Sequence, residues 1–300
     1  MSPRIEIREG GAGKKTNRDR PAPKRRTAGV APAAAALLAT LAPAHGEAHQ
    51  EPLWDIGLGI GALGYEDYRG ADSAHLFPIP VITIAYNGPI FKADKDGLHG
   101  SLLEQSWFDI TLSFDATLPV SNDATRSGMD HLDPTVEAGV SADFHLWKSA
   151  DHAIKLDFKI PVRSAFTLQA PPEDIGWTLT PGFDLQVSTP PMNGWKLGVY
   201  TGPLFANRKY NDYFYSVPAR NATPGRPAYE AAGGYAGTQL VLDLNKHFPR
   251  YWIAGFIRYD TLDGAVFEDS PLVQRKYYWS AGVIISWSVA RSSRWVEVPD

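Results

Sequence analysis

Residues 106–119, SWFDITLSFDATLP, place an apolar side chain at every second position. Phe108, Ile110, Leu112, Phe114 and Ala116 fall on one face, and Asp109, Thr111, Ser113, Asp115 and Thr117 on the other. A period of two is that of a β-strand. The alternation returns in WDIGLGIGAL (54–63), PTVEAGVSADFHL (134–146) and AIKLDFKIPV (153–162), and fits 177–189, 194–206, 233–245 and 276–289. Residues 75–86 and 251–262 are strand-like but more apolar on both faces. After the first 44 residues no amphipathic helix of useful length is visible.

The polar faces decide which solvent the strands meet. Asp109, Asp115, Glu137, Asp143, Lys155, Asp157, Lys159, Asp184, Lys196 and Asp243 all lie on them. A soluble barrel fills its interior with apolar side chains. A transmembrane barrel turns the apolar face to lipid and the polar face to the lumen. Strands of about ten residues are long enough to cross a bilayer when tilted. Trp54, Tyr65, Tyr86, Trp107, Trp147, Trp177, Trp195, Tyr251, Trp252 and Tyr277 sit near strand ends, where interfacial aromatic girdles belong. From 106–117 onward, short connections (147–151, 190–193, 246–250) alternate with long polar ones (118–133, 164–176, 207–232, 263–275). Two short strands near 89–94 and 97–104 bring the count to twelve and return both ends to one side. The sequence therefore predicts an all-β, antiparallel transmembrane barrel of about 12 strands in the outer membrane of a Gram-negative cell, with lipid as its first partner.

The chain has no cysteine, which removes disulfides, thiolate metal sites and a lipid-modified cysteine anchor. Its mean hydropathy is −0.24, and no stretch has the length and apolarity of a spanning helix. The N-terminus reads differently. Basic KKTNRDRPAPKRR (14–26) precedes apolar AGVAPAAAALLATLAPA (28–44), and Ala42-Pro43-Ala44 supplies small residues at a cleavage position. That order predicts a cleaved secretory signal over 1–44, with a second possible cut after Ala48. Its removal takes nine of 29 Lys/Arg and three of 33 Asp/Glu, leaving 20 and 30 and a net charge of −10. Such a surface repels phosphate backbones, so nucleic acid is not an expected partner. The expected organisation is a signal peptide (1–44), a short lead (45–53), the barrel (54–289) and a C-terminal tail (290–300).

Motifs that could carry chemistry are few. Gly59-Ile-Gly61-Ala-Leu-Gly64 matches G-x-G-x-x-G, but it lies inside an alternating strand and no helix follows, so a lumen-facing glycine stripe is the better reading. The eight His include no H-E-x-x-H pair, and His45 and His49 fall in the lead. His145 shares the polar face with Asp143, yet no G-x-S-x-G accompanies it. The reading is a non-enzyme without cofactor or metal. SAGVIISW (280–287) has the form of an outer-membrane assembly signal on a last strand, carried by Ser280, Gly282, Ile285 and Trp287. In the loop 207–232, Tyr210, Tyr213, Phe214, Tyr215 and Tyr229 lie among Arg and Asn. They suit either a partner-binding surface or a loop folded over the barrel mouth by its own rings. Trp295, with Arg291 and Arg294, is a second candidate partner anchor on the tail.

Several stretches resemble the MipA/OmpV family of outer-membrane proteins. These are GALGYEDYRG (61–70), FPIPVITIAYNGPIF (77–91), YSVPARNATPGRPAYEAAGGYAG (215–237) and DGAVFEDSPLVQRKYYWSAGVIISW (263–287). The resemblance spans about residues 54–289 and implies a barrel without catalytic residues. It also implies, for some members, a scaffold joining a lytic transglycosylase to a murein synthase, and for others a surface antigen or adhesin. A narrow pore or surface-binding protein is the alternative.

N-terminal sequencing of the protein from a membrane fraction should begin at His45 or His49. An intact Met1 there would exclude the signal peptide.

Overall fold

A computed structural model describes residues 49–87, 92–94, 97–99, 101–118, 124–188, 192–248 and 250–298. The expected signal peptide lies outside them, as do parts of the 119–123 and 189–191 connections. In chain order the strands are β1 (His49–Pro52), β2 (Trp54–Glu66), β3 (Ala74–Asn87), β4 (Lys92–Asp94), β5 (Gly97–His99), β6 (Ser101–Glu104), β7 (Phe108–Thr117) and β8 (Thr135–Lys148). There follow β9 (Ile154–Thr167), β10 (Asp174–Leu179), β11 (Gly182–Val187), β12 (Trp195–Ala206), β13 (Gly234–His247), β14 (Tyr251–Thr261), β15 (Tyr277–Arg291) and β16 (Trp295–Val298). An α-helix, α1 (Arg208–Tyr215), and a short 3-10 turn (Ala219–Asn221) lie between β12 and β13.

All pairings are antiparallel, and most join chain neighbours; the exceptions are β9 with β11, β10 with β12, β1 with β16, and the first and last long strands, β15 with β2, from Ser280↔Tyr65 to Arg291↔Asp55. This pairing joins the first long strand to the last, so neither β2 nor β15 presents an edge to lipid. β10 and β11 occupy one place in the wall, since both lie between β9 and β12. The sequence reads 177–189 as one strand; Pro181 divides it because proline has no N–H to give the ladder. The Thr180 N–H donates instead to the Pro161 carbonyl at 3.1 Å. Of the two short strands expected near 89–94 and 97–104, residues 89–91 and 100 lie outside the described residues, and the remainder forms β4, β5 and β6. β5 pairs with β4 and β6 with β7.

The face assignment follows the sequence period. Register pairs Ile110 with Ala142, Leu112 with Val140 and Phe114 with Ala138 on one face, and Thr111 with Ser141 and Asp115 with Glu137 on the other. Glu137, Ser141, Asp143, Arg163 and Asp184 are buried, whereas Leu58, Ile60, Leu76, Ile82, Val140, Leu242, Ile257 and Val283 are exposed. An apolar outside around a charged inside is the pattern of a barrel in lipid. Exposed Trp54, Tyr86, Trp107, Trp147 and Trp287 ring the turn end, and Trp177, Tyr277 and Trp279 the loop end. Two aromatics assigned to the girdle face inward instead. Tyr65 lines the lumen, and Trp252 packs with Val81, Ala254 and Ile284 because it shares the inward parity of Arg258 and Asp260.

Glycines keep the inner wall close. Gly57, Gly59 and Gly61 share the inward parity of buried Leu63, as the stripe reading expected, and a Cβ on Gly59 would lie 2.2 Å from the Ile285 carbonyl oxygen. In the assembly segment, Ser280 and Gly282 point inward, and a Cβ on Gly282 would meet the Phe256 ring at 2.6 Å. Ile285 and Trp287 point outward from the same strand.

The tail is not a free end. β15 continues to Arg291, and β16 pairs with β1 through His49↔Val298 to Pro52↔Trp295. Extended backbone with unpaired amide groups beside another such segment gains a ladder, and four residues are too few to carry an amphipathic period.

Leu242→Arg should impair assembly far more than Val241→Arg on the same strand. The first puts a charge in lipid at a cost of about 2–4 kcal/mol, and the second puts it in an acid-rich lumen. Heat-modifiable gel mobility reads the difference; equal loss would reverse the faces.

Candidate functional site

The long connections converge on one end of the barrel, and their side chains build a plug. α1 begins at Asn207, whose Oδ1 accepts the Tyr210 N–H at 3.0 Å and the Trp177 N–H at 3.1 Å. An Asn cap of this kind satisfies an orphan donor of the first turn and here also ties the helix to β10. Tyr210 and Phe214, four residues apart on one helix face, are buried with Tyr215. They join Tyr68, Leu262, Phe267 and Leu272 from two other loops in a single apolar cluster. The Tyr215 and Phe267 rings stack at 3.6 Å between centroids and 7° between planes.

Polar contacts lace the loops together around this cluster. The Tyr68 hydroxyl donates to the Leu272 carbonyl at 2.8 Å, Tyr215 to the Arg69 carbonyl at 3.0 Å, and Ser270 to the Tyr215 carbonyl at 2.6 Å. Arg126 reaches the Phe214 carbonyl at 2.8 Å, and the Tyr213 hydroxyl accepts the Asp133 N–H at 2.9 Å. Arg226 binds the Thr125, Ser127 and Asn221 carbonyls at 2.6, 2.9 and 2.9 Å. Of the two readings left open for 207–232, the fold adopts the second: Tyr210, Phe214 and Tyr215 are buried, Tyr213 is partly so, and the rings face into the plug. The exposed aromatic among the candidate partner residues is Trp295, at the opposite end.

Beneath the plug the lumen holds a chain of ion pairs. Glu137 accepts from Arg163 at 3.2 Å, Thr178 at 2.7 Å and, from the plug, the Tyr210 hydroxyl at 2.8 Å. Arg163 also donates to Ser113 at 3.0 Å and Thr180 at 3.3 Å. Asp260 accepts from Arg258 at 2.9 Å and from Arg69, on the loop after β2, at 2.6 Å. Lys159 pairs with Asp184 at 2.5 Å, and His145 lies between Asp109 at 3.2 Å and Asp157 at 3.0 Å rather than beside Asp143. A cavity of about 260 Å³ remains among these groups. Among the described residues no three His, Cys, Asp or Glu side chains are placed to hold a metal.

Arg163, Arg258 and Arg69 were not singled out in the sequence. Arg163 continues the inward parity of Lys155, Asp157 and Lys159, so its place was readable. Arg258 sits in a strand that looks apolar on both faces, and only its pairing with Asp260 two residues on marked that face as inward.

A sequence profile of the family described as MltA-interacting protein MipA matches residues 58–289. The chain belongs to this family. Two relatives are the outer membrane protein OmpV of Vibrio cholerae serotype O1, 25% identical over 241 residues, and outer membrane protein Omp26La of Vibrio anguillarum, 22% identical over 237. Each alignment covers 76% of this chain and 84% of the relative. Similar solved structures include a bacterial polysaccharide outer membrane secretin (8% identity, TM-score 0.39, 78% of this chain and 98% of that one). Another is the NanC porin (11% identity, TM-score 0.33, 79% and 100%). The relatives carry the names of outer-membrane proteins and not of enzymes, and the barrel belongs in the outer membrane.

The plug contributes a pH dependence. Burial pushes the Tyr213 phenol up to about 12, and burial together with the Glu137 carboxylate holds Tyr210 well above the ordinary phenol range. A raised acid pKa stabilises the fold fully below the unfolded value near ~10 and loses that contribution as pH rises through the folded value. Absorbance at 295 nm should show these phenols ionising above the ordinary range, and tryptic cutting at Arg208 and Lys209 should stay slow at neutral pH. Fast cutting at neutral pH would mean that the plug does not form.

Proposed function

We propose that this barrel is a non-catalytic scaffold that holds a lytic transglycosylase, and through it a murein synthase, at the inner face of the outer membrane. The observation that carries the reading is the small sheet of β1 and β16. It joins residues 49–52 to 295–298 at the turn end and presents Trp295 exposed beside exposed Arg291 and Arg294. Short turns face the periplasm in barrels of this class, so this sheet lies where murein enzymes work. A fixed aromatic flanked by cations is a low-entropy anchor for a partner surface. The family description, a protein that interacts with MltA, supports a partner of that kind. The aromatic plug at the other end weighs against a freely conducting pore.

The test is copurification in non-ionic detergent of the full mature chain with a lytic transglycosylase of the MltA type. The intact protein should retain the enzyme, and Trp295→Ala should cut recovery at least fivefold while heat-modifiable mobility stays unchanged. Failure of the intact barrel to retain the enzyme, with stepwise conductance in planar bilayers, would replace the scaffold by a pore.

A further inference from the structure

The wall has one place where two long strands face each other without a ladder. β3 pairs β2 along its whole length, but on its other side it meets only β4, at Tyr86 and Asn87. β7 pairs β8 along its whole length, but on its other side its ladder is with β6 alone, at Asp109, Ile110 and Thr111, with β5 close by. Beyond these turn-end pairs, residues 74–85 and 112–117 have no strand partner on the facing edges among the described residues.

The sequence of β3 prepares that edge. The Asp67 N–H donates to the Ser73 carbonyl at 3.2 Å, which sets the phase of the β2–β3 ladder. Opposed pairs alternate between hydrogen-bonded and non-bonded. Counting along the register, Ala62↔Pro78 and Ile60↔Pro80 are non-bonded pairs, so both proline nitrogens face away from β2. Prolines there remove two donors that a neighbouring strand would need, and proline in a sheet marks an unpaired edge. The β7 edge is treated differently. The His145 N–H bonds to the Trp107 carbonyl at 3.0 Å, which turns the amides of Leu112, Phe114 and Ala116 toward the gap. The Ala116 N–H is met by the Asp115 carboxylate at 2.8 Å. A carboxylate folded back on its own strand is what an edge without a partner strand requires.

The gap leads inward. The whole run Thr111–Leu118 borders the luminal cavity, as do Tyr65, Arg163 and Arg258. On the lipid side its rim is apolar, with Leu76 and Ile82 exposed on β3, and Phe77 stacks on Tyr65 at 5.6 Å just inside. Seven carboxylates against four Lys/Arg border the cavity. Asp115 is the most open of the ion-paired acids there, 31% exposed against 5% for Glu137 and 6% for Asp184, and its contacts to Arg163 and Arg258 are long, at 3.8 and 3.7 Å.

From this we propose that the gap between β3 and β7 is a lateral opening that admits a single-chain amphiphile with a cationic head. The alkyl chain lies between the apolar rims, and the head enters the acid-rich, aromatic-walled cavity beside Asp115. An excess of negative charge in a confined site attracts cations, and the tyrosine rings add cation–π attraction. A donated strand is disfavoured as the occupant by Pro78 and Pro80.

Two measurements test this, neither of which depends on the scaffold reading. In native mass spectrometry of the mature barrel from non-ionic micelles, dodecyltrimethylammonium should be retained at one equivalent and at least tenfold tighter than dodecanoate. Asp115→Asn keeps an oxygen for the Ala116 N–H but removes the charge, and should weaken retention at least threefold. In phosphatidylcholine vesicles, Phe77→Cys in this cysteine-free chain should be alkylated by the lipid-partitioned N-dodecylmaleimide and protected by dodecyltrimethylammonium. Equal retention of the two dodecyl probes, indifference to Asp115→Asn, or a thiol unreactive from the lipid phase would each overturn the proposal.

Discussion

The structure depends on the cost of an unpaired amide in hydrocarbon. Each backbone N–H or C=O left without a partner there costs several kcal/mol, so a chain of alternating strands gains stability in a membrane with every edge it pairs. Here closure runs through eleven paired residues of β15 and β2, with Ile285 opposite Ile60 and Val283 opposite Ala62. The apolar sides of those pairs face lipid, and the glycines opposite Ile284 and Ser286 let the inner wall approach. The last strand to leave the synthesis machinery therefore completes the first, and the assembly segment 280–287 lies within that pairing.

Closure creates an interior that water alone does not organise. Two carboxylates act as joints between wall and loops. Glu137 receives Arg163 and Thr178 from the wall and Tyr210 from α1; Asp260 receives Arg258 from the wall and Arg69 from the loop after β2. Each is almost fully buried, so removing one donor leaves an uncompensated charge rather than a free one. The plug is thus fastened to the barrel by electrostatics and packed by aromatic rings, which makes the mouth a rigid part of the fold and not a set of independent loops.

How much of this the sequence disclosed follows from the range of each interaction. Strand period, inward and outward faces and the length of connections are local, and they are readable in Phe108–Thr117 or Thr135–Leu146. The Pro181 break is also local, but alternation continues across it and hides it. What α1 does was not local: Tyr210 and Phe214 acquire their role from Phe267 and Leu272, more than fifty residues away, and composition fits a binding face as well as a plug. The same holds for β1 and β16, two four-residue segments from opposite ends of the chain that form a sheet only because closure of the barrel brings the termini together. Residues 49–52 and 295–298 carry no pattern that distinguishes them from a lead and a tail.

Pro78 and Pro80 show the opposite case, a local signal whose meaning needed the ladder. Two prolines with one residue between them in a membrane strand weaken any pairing on the side to which their nitrogens point. Had they faced β2, the strand would have lost the neighbour that closes the barrel; facing away, they cost β3 nothing on that side and bar a strand on the other. The rest of the wall permits no such interruption, since every other long strand is flanked on both sides. With the mouth filled by Phe214, Tyr215 and Phe267, the lumen meets its surroundings most directly where β3 and β7 diverge. An opening coded by proline, rimmed by leucine and isoleucine and backed by carboxylates, joins the two solvents that the alternating strands otherwise hold apart.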